Sequence, residues 1–296
     1  MLKITILGAG AIGQTIGKIL VSPSRQVKFW DRKPTKNQKA LEKTVPKSDF
    51  IFLCFPSSGI AETTKLISPY LTKKTIIISL AKGISQNHLK TVDEILEKNL
   101  PKNQPFALLA GPFLAEEIKN GLPAFGVVAS KNWRVFQKME KLFAKTAIQL
   151  EYSSDVRGVA LSASLKNVYA LLLGIIDGLG LGLNTKGFLT AKAAEEMEEI
   201  VKILGGHHAT AMGTAGLGDF ITTGFSPHSR NRGVGEAIGR TGKPSGQSEG
   251  FHSASIFVKL LGKKSKKFPL LVKLAKINAS TRKFSKSDLK KILINY

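Results

Sequence analysis

The chain has 296 residues, 43% of them hydrophobic and 22% charged, a composition that supports packed cores and excludes a mostly disordered chain. Lys and Arg number 44 against 21 Asp and Glu, a net charge of +23; without zinc-ligand spacing or an RNA-binding aromatic signature, this reads as a lysine-rich surface that attracts small anions, with no nucleic acid expected as partner. The lone cysteine, Cys54, excludes an intrachain disulfide, and its place in an apolar run predicts a packing role.

In chain order, short apolar runs at residues 3–7, 26–30, 50–55, 75–80, 106–110 and 125–129 predict strands. Most are continuous rather than alternating, which suits parallel strands covered on both faces. Segments 60–71, 86–100 and 132–145 between them have helical length and amphipathic pattern. This alternation predicts a doubly wound α/β sheet of Rossmann type over residues 1–152. From 153 to 296 the strand signals stop, and helices are predicted at 156–176, 185–204, 232–240, 253–261 and 287–293. The expected architecture is therefore a nucleotide-binding sheet followed by an all-helical domain. The lysines at 263, 264, 266 and 267 read as a solvated loop.

The first strand begins almost at the first residue, so no signal peptide is expected. The longest apolar stretch, 159–176, carries Lys166-Asn167 at its middle. That placement argues against stable membrane insertion and for a buried helix holding a polar site. The chain reads as cytoplasmic. His207-His208 lack metal-ligand partners in the sequence and read as a turn, so no metal is expected.

Gly8-Ala9-Gly10-Ala11-Ile12-Gly13 fits G-x-G-x-x-G, placed directly after one predicted strand and opening a helix. In that context the first glycine allows the tight turn, the second lets pyrophosphate approach the backbone, and the third permits close helix–strand packing. Asp31, twenty-three residues beyond Gly8, stands where a ribose-binding acid is expected. Arg32 and Lys33 follow at once and could instead hold a 2′-phosphate. The cofactor is therefore NAD or NADP, with a slight lean to NAD.

Further motifs narrow the chemistry. Lys82 follows the predicted strand 75–80, and ligands bind beyond the carboxyl ends of such strands. Ala215-Gly216-Leu217-Gly218-Asp219 is a small-residue turn ending in an acid, and Ser229-Arg230-Asn231-Arg232 gathers donors suited to phosphate. Together with AKGI at 81–84, AGPFLAEEIKNGLPA at 110–124 and SLKNVYALLLGIIDGLGLGLNTKGF at 164–188, these resemble the bacterial NAD(P)-dependent glycerol-3-phosphate dehydrogenases over nearly the whole chain.

That resemblance implies interconversion of sn-glycerol 3-phosphate and dihydroxyacetone phosphate, which supplies the phospholipid backbone. It implies that Lys166 transfers the proton, with Asp219, Asn167 and Lys82 beside the reacting centre. It places Gly111, Thr223, Ser229, Arg230 and Asn231 around the substrate. Gly8, Gly10, Ala11, Ile12, Gly13, Asp31, Arg32, Lys82, Ala115, Arg230 and Glu249 would meet the cofactor, and the helical domain would form a homodimer. Burial and the charge of Lys82 would lower the Lys166 pKa, while Asp219 would raise it.

Other roles for these residues stay open. Lys166 could snorkel to the surface, Asp219 could be a helix N-cap, Asp177 could be structural, and Arg232 could sit in a solvated loop. The sequence also departs from the family pattern. Phe113 and Leu114 stand where a hydroxyl residue and an aromatic are expected, and the segments between Asp31 and Asp49 and around Glu249 are short. Two other functions fit the architecture: a hydroxy- or keto-acid dehydrogenase, and a catalytically impaired nucleotide sensor.

Overall fold

A computed structural model describes residues 1–33, 40–85, 89–244 and 246–294. Backbone contacts divide the chain into two units, Met1–Lys82 with Lys90–Val156, and Gly83–Leu89 with Arg157–Tyr296.

The first unit is built on strands β1 (Leu2–Leu7), β2 (Arg25–Trp30), β3 (Phe50–Leu53), β4 (Ile76–Ser79), β5 (Phe106–Ala110), β6 (Ala124–Ala129) and β7 (Ile148–Ser153). They form one seven-stranded sheet in the order β2-β1-β3-β4-β5-β6-β7. Strand order reverses at β1, with β2 on one side and β3 and β4 on the other, which makes its carboxyl end the switch point where such sheets take ligands. Ladders β1 to β5 are parallel, as are β6 and β7. Between β5 and β6 the pairing is antiparallel, a departure from the parallel sheet expected. The intervening segment has only the short helix Ala115–Lys119, too little to carry the chain back for a parallel crossover.

Helices α1 (Ala11–Leu20), α2 (Ile60–Ile67), α3 (Val92–Asn99) and α4 (Trp133–Phe143) cover the sheet. One core cluster joins Ile4, Ile6, Phe52, Ile78 and Val128 of the strands to Ile16 and Leu20 of α1 and Met139 and Phe143 of α4. Local signals set the helix starts. Thr91 and Glu94 form a capping box at α3, and Asn132 accepts a hydrogen bond from the Arg134 backbone N–H at α4. Residues 86–88, where the helix expected at 86–100 would begin, lie outside those described.

The second unit contains α5 (Val156–Leu179), α6 (Gly182–Ile203), α7 (His208–Met212), α8 (Asp219–Phe225), α9 (Arg230–Thr241), α10 (Glu249–Leu261), α11 (Pro269–Ala279) and α12 (Lys286–Ile294). Its core runs the length of α5, from Leu161 to Leu179, against Met197 and Ile200 of α6, Phe220 of α8, Ile238 of α9, Phe257 of α10 and Leu274 of α11. Among the described residues α5 is the one helix long and apolar enough to cross a membrane, and its most apolar window is wholly buried within the protein.

Glycines let α9 approach the backbone of α5. A Cβ at Gly174 would stand 2.0 Å from the Arg232 carbonyl, and one at Gly235 2.0 Å from the Leu171 carbonyl. Both contacts are below any real carbon–oxygen approach, so only glycine fits. The buried Glu196 accepts from Tyr169 Oη at 2.7 Å and from the Leu270 and Leu271 backbone N–H groups at 2.7 and 3.0 Å. It thereby caps α11 and joins that helix to α5 and α6.

Cys54 shows how tightly the sheet unit is packed under its first turn. The Cys54 carbonyl oxygen would lie 2.6 Å from a Cβ at Gly8, and its Cβ 3.1 Å from one at Gly13. Burial pushes the thiol up to about 12, which leaves almost no thiolate at neutral pH. Ellman's reagent at mildly alkaline pH should not react with the folded protein and should react fully in denaturant. Fast native-state labelling would contradict this packing.

Candidate active site

The glycine turn links the end of β1 to the start of α1. Gly8 has φ +100°, a left-handed conformation that other residues adopt only with strain. Gly13 packs against the turn so closely that a Cβ there would meet the Gly8 carbonyl oxygen at 2.0 Å. Gly10 is different. It is the N-cap of α1, and a Cβ built on it meets no protein atom within 4 Å. The space before the helix N-terminus is therefore open on the side where a pyrophosphate would approach, with Ala11 and Ile12 opening the helix behind it. These residues fit a dinucleotide.

Asp31 fixes the turn from the end of β2. Its Oδ2 accepts from the Ala9 backbone N–H at 2.7 Å, and its Oδ1 from the Lys33 N–H at 3.0 Å. Asp31, Arg32 and Lys33 line a cavity of about 260 Å³ together with Gly8, Trp30 and Phe55. Arg32 Nη2 lies 2.6 Å from Glu62 Oε2 of α2, with both side chains largely exposed. Nothing in the sequence had pointed to Glu62, because a lone acid in an amphipathic helix carries no signal of its partner.

Farther along the same unit, Lys82 Nζ donates to the Gly111 carbonyl at 2.9 Å. Gly111 has φ +129°, and a Cβ there would stand 2.6 Å from the Phe125 carbonyl. Ala115 opens the short helix that follows. Phe113, the departure from the family pattern, turns its ring onto the bare backbone of Gly126, where a Cβ would meet Phe113 Cε2 at 2.3 Å. It therefore packs into the sheet core rather than offering a polar group.

In the helical unit, Lys166 lies mid-way along α5 and does not snorkel: its exposure is 5%, against 2% for Asp219 and 6% for Thr223. Its Nζ donates to Asp219 Oδ1 at 3.0 Å and to Thr223 Oγ1 at 2.6 Å. The Thr223 hydroxyl in turn donates to Asp219 Oδ1 at 3.2 Å. Asp219 and Thr223 are one turn apart on α8, so a single helix face presents both. Ahead of them Thr214–Gly218 forms one π-helical turn. There Gly216 packs against α7 so closely that a Cβ would sit 2.0 Å from the Ala211 carbonyl. The helix N-cap is Gly218 rather than Asp219, which leaves the aspartate side chain to face the lysine.

Asn167 and Asn231 connect α5 to the starts of α9 and α10. Asn231 Nδ2 donates to Asn167 Oδ1 at 2.8 Å, and Asn231 Oδ1 accepts from the Gly250 N–H at 2.9 Å. A Cβ at Gly250 would lie 2.0 Å from the Asn167 carbonyl. This strut fixes the first turn of α10, where Glu249 stands. Ser229 caps α9 by accepting from the Arg232 N–H at 3.2 Å. Arg230 is exposed on that first turn and makes no ion pair among the described residues.

Arg232 is not in a solvated loop. Its Nε reaches Asp177 Oδ2 at 2.7 Å, and the same oxygen accepts from Lys186 Nζ at 2.8 Å. Asp177 is thus a structural acid shared by two buried or half-buried cations. His208 opens α7 rather than a turn, with Nδ1 3.0 Å from Glu198. Among the described residues no group of three His, Cys, Asp or Glu could hold a metal ion.

A dinucleotide-ready glycine turn, with a second unit carrying a buried lysine–carboxylate centre, defines the class of nicotinamide-dependent dehydrogenases. The family models agree: "NAD-dependent glycerol-3-phosphate dehydrogenase N-terminus" matches residues 35–136 and the corresponding C-terminus model matches 155–287. A glycerol-3-phosphate dehydrogenase [NAD(P)+] of Clostridium tetani is 33% identical over 261 residues, covering 80% of this chain and 74% of that protein. Its counterpart in a Synechococcus strain is 32% identical over 277 residues, covering 90% and 88%. The crystal structure of glycerol-3-phosphate dehydrogenase from Coxiella burnetii superposes with a TM-score of 0.89 at 25% identity, covering 100% of this chain and 99% of that one. The chain belongs to the NAD-dependent glycerol-3-phosphate dehydrogenase family, and is an NAD(P)-dependent oxidoreductase.

The lysine centre makes a stability prediction of its own. Asp219→Ala leaves a buried ammonium without its carboxylate and should cost about 3–5 kcal/mol in urea unfolding. The double variant Lys166→Met, Asp219→Ala should recover a large part of that loss. Additive losses would show that the pair is not coupled.

Proposed function

We propose that the chain interconverts sn-glycerol 3-phosphate and dihydroxyacetone phosphate, with residues 1–152 binding the cofactor and residues 153–296 providing substrate binding and proton transfer. The observation that carries this reading is the buried Lys166–Asp219–Thr223 cluster. An ammonium kept only for stability is readily replaced by an apolar side chain, because desolvating two charges offsets most of their attraction. A hydrogen-bonded lysine held beside a carboxylate is what proton transfer to a substrate oxygen requires.

The bound nicotinamide supplies the hydride acceptor for oxidation and the donor for reduction. In oxidation Lys166 acts as the neutral amine, and its Nζ takes the C2 hydroxyl proton to become the ammonium; in reduction the ammonium gives that proton to the forming alkoxide and is left as the amine. Asp219 and Thr223 hold Nζ in place. Arg230, with Ser229 and Asn231 at the same helix start, binds the substrate phosphate through paired N–H donors. Lys82 and Gly111 are read as further substrate contacts, and Asn167 with Asn231 positions Glu249 at the start of α10.

Within the same reading the preferred cofactor is NAD. Asp31 already carries a negative charge in the cavity beside the glycine turn, and the neighbouring Arg32 is engaged by Glu62. An ion pair this exposed is worth at most about 1 kcal/mol, so it biases selectivity rather than enforcing it. The enzyme is read as cytoplasmic. It is also read as a homodimer, supported by exposed Leu183 and Phe188 on α6 and Ile221 and Phe225 on α8.

The deciding assay is dihydroxyacetone phosphate reduction followed with NADH and NADPH side by side. Turnover with NADH at the higher kcat/KM is expected, and failure to reduce this ketone with either cofactor would refute the reading. Lys166→Ala should lower kcat by at least about a hundredfold while leaving NADH affinity intact. Arg230→Ala should raise KM for the phosphorylated substrate far more than for the nucleotide. Glu62→Ala should improve kcat/KM for NADPH by up to roughly fivefold with little change for NADH; an equal change for both would remove its role in selectivity.

A further inference from the structure

Between residues 250 and 287 the chain has ten Lys or Arg and no Asp or Glu. This stretch holds the corner where α10 turns into α11. The corner itself, Gly262–Lys267, is a 3₁₀ helix with three residues per turn. Ser265 and Phe268 are buried, whereas Lys263, Lys264, Lys266 and Lys267 are all exposed. The three-residue period stacks Lys263 over Lys266 and Lys264 over Lys267, giving two adjacent outward rows of ammonium groups.

Lys259 on α10 and Lys276 on α11 are exposed on the flanking helices. None of these six lysines makes an ion pair among the described residues. The carboxylate that does meet the corner, Glu196, faces inward, where it accepts the Leu270 and Leu271 N–H groups. The corner is therefore an outward-facing cluster of cations without ion-pair partners among the described residues. None of the catalytic or cofactor residues named above lies on it.

We propose that this corner is an electrostatic docking surface for an anionic phospholipid bilayer. Four to eight clustered cations suit the diffuse negative charge of such a surface. Nine of the ten cations in the stretch are lysines, point charges without the planar fork that reads bases or clamps a nucleic-acid phosphate bidentately. The exposed large apolar side chains include none from residues 250–287, so the corner offers no aromatic platform on which bases could stack. The same absence means no apolar anchor enters the bilayer. Association is then purely electrostatic, reversible and sensitive to salt.

The test is co-sedimentation of the full chain with vesicles of phosphatidylcholine, with and without phosphatidylglycerol, at low and high potassium chloride. Binding is expected only with the anionic lipid and only at low salt. Substituting Lys263, Lys264, Lys266 and Lys267 together by Gln should lower the partition coefficient by more than about a hundredfold, with dihydroxyacetone phosphate reduction in solution unchanged. A control lacking four lysines elsewhere, Lys73, Lys74, Lys98 and Lys102 replaced by Gln, should keep most of its binding. Equal losses in the two variants would reduce the effect to net charge and overturn the proposal. So would absence of binding to anionic vesicles, or tighter binding to single-stranded RNA lost in the corner variant.

Discussion

A lysine placed midway along a helix buried on every side must be given a counter-charge, and the helical unit is organised around that requirement. Removing an ammonium from water costs several kcal/mol even after relaxation. Lys166 meets this cost with two partners from one face of α8, a carboxylate and a hydroxyl that also bond to each other. Setting α8 against α5 in that register requires the π-helical turn at Thr214–Gly218 and the close approach at Gly216. Setting α9 and α10 around the same segment requires glycines at 235 and 250 and the Asn167–Asn231 strut. The small residues and the polar centre belong to one solution.

The sheet unit meets a different constraint. Its turn must bring backbone close to a charged ligand while staying rigid, and the three glycines divide the task. Gly8 supplies the left-handed turn, Gly13 seats the helix on it, and Gly10 leaves the open face. Asp31 then ties the turn to the neighbouring strand through Ala9. The residue expected to recognise the ribose is thus also part of the frame that shapes the phosphate site.

Much of this was legible in the sequence, for identifiable reasons. Continuous apolar runs spaced by amphipathic segments marked the parallel core strands, and the glycine spacing marked the nucleotide turn. A lysine interrupting an apolar helix marked the catalytic candidate. Most of the rest lacked a local signal. The edge strand β7 exposes Gln149, so its apolar content is diluted. The antiparallel β5–β6 ladder depends on the length of one connecting helix. Helix α11 did carry a start signal, Pro269 at its first position, but the preceding lysines suggested a loop. Pairings such as Arg232 with Asp177, Arg32 with Glu62 and Tyr169 with Glu196 join residues distant in the chain, and no spacing rule reveals them.

The same separation explains how a strongly basic chain keeps an ordinary interior. Glu196 and Asp219 are buried in internal contacts and the half-buried Asp177 pairs Lys186 and Arg232, while most lysines are exposed. The central claim concerns Lys166, and chemical rescue tests it most directly. Turnover of Lys166→Ala should be restored by small primary amines in solution, in proportion to the concentration of added amine and with NADH binding unchanged. Turnover of that variant at the unsubstituted rate without amine would contradict the account.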